Sequence, residues 1–180
     1  MALATAATGQ AAYNFSGLIT LTSAQAYDAA SPTATKPSTT SQSALLYDIG
    51  TNYPNLIKIV PSVNGNNFTS VGMRVIGWSS YSAITGSNPY IPTVLADVTL
   101  GYTSGTVASL SIDGTTNYFF SSATVATGVP TVNAYTPATA DTANVQPASV
   151  IIDCVGSLLI QVQFKATGTT PKMGAFWYTI

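Results

Sequence analysis

Ser157-Leu158-Leu159-Ile160-Gln161-Val162-Gln163-Phe164-Lys165 sets Leu158, Ile160, Val162 and Phe164 against Leu159, Gln161, Gln163 and Lys165 in regular alternation. Successive side chains of a strand point to opposite faces, so this pattern predicts a half-buried β-strand. Upstream, Val150-Ile151-Ile152-Asp153-Cys154 predicts its pairing partner, joined through a tight connection at Val155-Gly156. Downstream, after Gly168-Thr169-Thr170-Pro171, Met173–Ile180 reads as another strand. Phe176, Tyr178 and Ile180 share one of its faces, and Trp177 and Thr179 the other.

Working outward, the same reading applies to most of the chain. Residues 13–22 (YNFSGLITLT) predict a first long strand, and 44–49 and 56–60 flank a turn at Asn52–Asn55. Residues 71–78 and 93–100 form a central pair. Residues 107–112 and 117–121 flank Asp113-Gly114, a dipeptide suited to a two-residue hairpin turn with positive φ at both positions. Good helix formers other than Ala are scarce, while Thr, Val, Ile, Tyr and Ser are abundant and favour pleated surface. About ten strands at these intervals predict an all-β fold, a jelly-roll-like antiparallel β-sandwich.

Two segments break the rhythm. Residues 29–43 and 127–148 are rich in Ala, Thr, Ser and Pro and read as extended excursions, arms that lie over a neighbouring subunit or, as the alternative, mobile surface loops. Residues 1–12 read as an N-terminal arm, which leaves 13–180 as a single domain. The N-terminus has neither a basic region nor a compact apolar run, so no secretory signal is expected. No run of about 18 apolar residues predicts a membrane-spanning helix.

The composition bears on function by what it leaves out. The chain has no histidine and no glutamate, one cysteine, five Lys or Arg and six Asp, and a net charge of −1. Charged residues are 6% of the sequence, against roughly 25% in ordinary soluble domains. Nucleophile–base pairs built on histidine are excluded, and Asp97 and Asp153 are the acids whose strand positions raise the question of paired carboxylates. No catalytic residue, cofactor or zinc ligand set is expected, and calcium would have only Asp113, Asn117 and carbonyls to use. Without a basic surface, neither nucleic acid nor a membrane surface is an expected partner. Cys154, between Ile152 and Val155, reads as a buried, inert thiol. A polypeptide so poor in ions is expected to assemble as a homo-oligomer. Clustered aromatics, namely Trp78, Tyr81, Tyr90, Tyr118 and Tyr135, are the candidate interface residues.

The stretch Val71-Gly72-Met73-Arg74-Val75-Ile76-Gly77-Trp78, followed by Tyr90-Ile91-Pro92-Thr93-Val94-Leu95-Ala96, resembles a G-x-R-V-x-G-W … P-x-x-L-A pattern of small virion proteins of tailed bacteriophages. The remainder is similar in composition to capsid decoration (cement) proteins. The resemblance implies a structural, non-enzymatic protein on the capsid exterior, made in the host cytoplasm. Its implied partner is the major capsid protein, bound at local symmetry axes by a homo-oligomer, with a trimer favoured. A tail, neck or fibre component and a carbohydrate-binding adhesin module are the alternatives. Asp97 and Asp153 are open to facing solvent or to pairing with Arg74 or a lysine, which makes Arg74 a candidate ion-pair partner for a strand aspartate.

Overall fold

The computed structural model describes residues 13–21, 27, 43–48, 56–64, 68–80, 90–101, 109–112, 115–127, 133–136, 147–168 and 172–180. The expected arms at 1–12 and 29–42 lie outside the described residues. Among those described, the regular structure is entirely β. The strands are β1 (Asn14–Phe15), β2 (Ile19–Thr20), β3 (Ser43–Asp48), β4 (Leu56–Asn64), β5 (Phe68–Ser80), β6 (Tyr90–Gly101), β7 (Ser109–Ile112), β8 (Thr115–Phe119), β9 (Ser122–Val125), β10 (Asn133–Tyr135), β11 (Ser149–Asp153), β12 (Leu159–Gly168) and β13 (Lys172–Thr179).

They form two antiparallel sheets. The first has the order β1-β13-β4-β11-β10, with β2 also on β13, β8 on β4 and β7 on β8; the second runs β3-β12-β5-β6-β9. The facing sides meet in one core. Ile57, Ile59, Val63, Val150, Ile152, Met173 and Trp177 come from the first sheet, and Val71, Met73, Val75, Val98, Ile160, Val162 and Phe164 from the second. This is the two-layer sandwich that the period-two pattern predicts, each buried large aliphatic side chain contributing about 1.5–3 kcal/mol.

The central pair β5–β6 forms as expected, in register from Val71↔Leu100 to Ser80↔Tyr90 with a bulge between Val75 and Ile76. Ile112↔Thr115 closes the β7–β8 hairpin around the two residues 113–114. Strand β4 runs farther than residues 56–60, through Pro61 to Asn64. Proline is tolerated because pairing on that side of β4 stops at Ile59, opposite β11, and resumes at Ser62, opposite β8.

Four expectations are corrected. The first long strand is two short ones, interrupted where Gly17 takes φ 80° and the Ser16 hydroxyl accepts the Ala175 N–H in place of a backbone carbonyl. Strands β11 and β12 do not pair with each other: β11 lies between β4 and β10 in the first sheet, and β12 between β3 and β5 in the second. The turn between them crosses the core instead of closing a hairpin. It is held by the Val155 N–H on Asp153 Oδ1 (2.9 Å), the Ser157 N–H on the Cys154 carbonyl (2.9 Å) and Gly156 at φ 83°. The polar face of β12 is solvated only at Lys165, since Leu159, Gln161 and Gln163 are all buried. Finally, the excursion at 127–148 contains β10, which adds an edge strand to β11.

Candidate interaction surface

Register places the two sheets' strand ends. In the first sheet Asp153 opposes Leu56, the Ile180 N–H donates to the Leu56 carbonyl (2.9 Å), and Tyr13 precedes the Asn14↔Trp177 pair. In the second, Leu159 opposes both Trp78 and Asp48, and Ser79 opposes Ile91. The β11–β12 turn ties the two together, because the Ser79 hydroxyl donates to the Gly156 carbonyl and the Leu158 N–H to the Trp78 carbonyl (2.7 Å). All these residues therefore occupy one end of the sandwich.

That end gathers exposed apolar side chains. Val155 is 71% exposed, Ile180 57%, Tyr13 48% and Ile91 44%. Of the other exposed large hydrophobics among the described residues, Leu18 precedes β2 and Val125 lies on edge strand β9. Scattered apolar residues on a surface mean little, whereas a group of four at one end marks a place where water is poorly satisfied.

The outer face of the first sheet continues from it as an aromatic row. Tyr13 meets Tyr178 edge-on (centroids 4.8 Å), Phe15 stacks on Phe176 (4.6 Å), and Phe119 leans on Phe176 (5.7 Å). Gly174 makes room for this: a Cβ there would stand 2.6 Å from Phe15 Cε2. Beneath lies Ser62, fully buried, its hydroxyl without a hydrogen-bond partner. Burial first, and then Tyr178 beside it, raise the Tyr13 phenol above its ordinary range, so it stays a neutral donor.

The expected interface residues divide. Trp78 lies inside the fold: the residue is 3% exposed, packed with Ile76 and Leu159, and its Nε1–H donates to Gln161 Oε1 (3.1 Å). The chain's own packing accounts for it, and no ring face is left for a partner. Tyr90 begins β6 at the apolar end, opposite Ser80; Tyr81 lies outside the described residues. Tyr118, opposite Val63, is half-buried against the core at the far end of β4, and Tyr135 opposes Ser149 on β10. Of the run Tyr118-Phe119-Phe120, Phe120 is core and Phe119 is the ring that faces outward. Sequence reasoning passed over Ile91 and Val155, although an apolar residue at the tip of a turn, as Val155 is, is a usable signal.

The motif residues on β5 and β6 also have packing roles. Arg74 Nη2 and Nε donate to Asp97 Oδ2 (2.8 and 3.1 Å), which supplies the aspartate partner. Gly77 leaves space for Leu95 and Ser157, and Gly72 for Tyr27 and Lys165. Asp97 and Asp153 stand in different sheets, so no pair of carboxylates forms between them. Among the described residues no three His, Cys, Asp or Glu side chains come together as a metal site. Cys154 is buried, and burial followed by the nearby Asp153 pushes its thiol up to about 12. Comparison with protein-family models, curated proteins and solved structures found no match to the chain.

Proposed function

We propose that this protein is a structural virion component, a capsid decoration protein that binds the major capsid lattice as a homo-oligomer. The observation that supports the reading most is the apolar end formed by Tyr13, Ile91, Val155 and Ile180, on a chain with only 6% charged residues. Apolar area is removed from water when such an end meets another protein, and few ions must be desolvated there. Repetition over a symmetric lattice then turns modest single contacts into tight attachment. The resemblance of the β5–β6 stretch to virion proteins points the same way. In that stretch Gly72, Arg74, Gly77 and Trp78 serve packing, as a passive structural role requires.

The test is assembly state and copy number. Native mass spectrometry of the purified protein is expected to show a closed homo-oligomer, with a trimer favoured. Particle-associated protein is expected at a copy number matching the threefold or hexamer positions of the lattice. About six or twelve copies per particle would move the role to the tail or neck. A monomer that never joins a particle would overturn the proposal.

A further inference from the structure

Gly72, Arg74, Asp97 and Lys165 converge on the outer face of the second sheet, and the ring of Tyr27 lies among them. Gly72 sits between Lys165 on β12 and Thr99 on β6, and Arg74 opposes Asp97. The Tyr27 ring stands 4.3 Å from Arg74 Cζ and 4.6 Å from Lys165 Nζ. Its hydroxyl donates to Asp97 Oδ1 (3.3 Å), while both Arg74 bonds go to Oδ2. The carboxylate is thus divided between phenol and guanidinium. A Cβ on Gly72 would lie 2.6 Å from the Tyr27 oxygen, so a larger floor would displace the phenol.

We propose that these four residues form a latch specific for one tyrosine, and that Tyr27 filling it fastens the chain between β2 and β3 to the second sheet. β2 ends at the edge of the first sheet, on β13, and β3 begins at the edge of the second, on β12. Between these two, Tyr27 docks on strands β5, β6 and β12.

Each feature of the socket selects the occupant. The two cations need a π-face between them, which an aliphatic side chain lacks. Asp97 Oδ1 needs a donor, which phenylalanine lacks. The Arg74 and Asp97 side chains are only 28% and 17% exposed, so the attractions these two make with Tyr27 are less screened than at the open surface, whereas Lys165 is exposed. Burial and Asp97, partly opposed by Arg74, raise the phenol far above its ordinary range and keep it a donor at any physiological pH. The latch does not depend on the virion reading, since it concerns how the chain is tied to itself.

Hydrogen exchange of peptides spanning Tyr27 tests the latch. Exchange is expected to rise at least about tenfold in Tyr27→Ala and in Gly72→Ala, and about threefold in Tyr27→Phe, which loses only the hydroxyl bond. Lys165→Met, which leaves the tyrosine and the floor intact, is expected to raise it severalfold in the wild-type background and not at all in Tyr27→Ala. Wild-type exchange in both Tyr27→Ala and Gly72→Ala would overturn the proposal. So would an equal Lys165→Met effect in both backgrounds, or protection that grows with protein concentration, which would assign the socket to a second copy's tyrosine.

Discussion

Arg74 and Asp97 face each other across β5 and β6 with Nη2 2.8 Å from Oδ2, and the second carboxylate oxygen is left to Tyr27. Removing one partner leaves the other half-buried and partly unsatisfied. Arg74→Met and Asp97→Asn are each expected to destabilise the fold by about 1–3 kcal/mol. Urea denaturation at neutral pH reads this directly. The double variant is expected to cost less than the sum of the single ones, and strict additivity would contradict direct pairing.

Ser62 presents the opposite case. Its hydroxyl is fully buried beneath the aromatic row and has no hydrogen-bond partner. Nothing is lost when it is removed except an unmet polar group. Ser62→Ala is therefore expected to be neutral or to stabilise by up to about 1 kcal/mol. A clear loss of stability by thermal denaturation would mean that the hydroxyl is satisfied in solution.

Alkaline pH is expected to weaken the fold, with a sign set by three acids. The folded-state values of Cys154, Tyr27 and Tyr13 are all raised, so in each case the unfolded chain ionises first. Their contribution is whole below the unfolded values and declines as pH rises. For Cys154 the decline spans roughly pH 8.5, the unfolded thiol, to about 12, its folded value. Each such group adds at most about 1.4 kcal/mol per pH unit to the slope. Cys154→Ala should flatten the curve between pH 9 and 10 (roughly, from the same linkage), measured as urea midpoints. An unchanged slope there would count against a buried, neutral thiol. The same burial predicts that iodoacetamide at pH 8 (about half a unit below the free thiol value) modifies the native protein far more slowly than the denatured one.

The apolar end offers a separable test. Val155→Ser and Ile180→Ser alter side chains that are 71% and 57% exposed, so stability is expected to change by less than about 0.5 kcal/mol. Self-association or particle binding is expected to weaken by about tenfold in the double variant. Leu18→Ser, away from that end, serves as the control. Equal effects from the control, or none from the double variant, would show that this end is not a contact.

Much of the fold is readable from spacing. The alternation in Ser157–Lys165, the apolar faces of residues 71–78 and 93–100, and Asp113-Gly114 are local signals, and each led to the right strand or hairpin. Other features depend on distant chain. A tight turn at Val155-Gly156 suits a hairpin or a crossing between sheets, and only the pairing of β11 with β4 and of β12 with β5 decides for the crossing. Gln161 and Gln163 read as solvent-facing because glutamine is polar. Within the fold they lie buried, where Gln161 accepts the Trp78 indole N–H and the Gln163 amide. Trp78 was a candidate contact for the same reason that it is a good core residue: a large apolar ring with one polar atom to satisfy.

The amino-acid sequence alone determined that this protein is built of strands, that its charge is minimal and that it has no histidine chemistry, because period, composition and inventory are properties of the chain itself. Which strands share a sheet, which exposed apolar residues meet at one end, and that Tyr27 docks between Arg74 and Lys165 were decided only by tertiary structure. Those relationships join residues tens of positions apart, and neighbouring side chains carry no record of them.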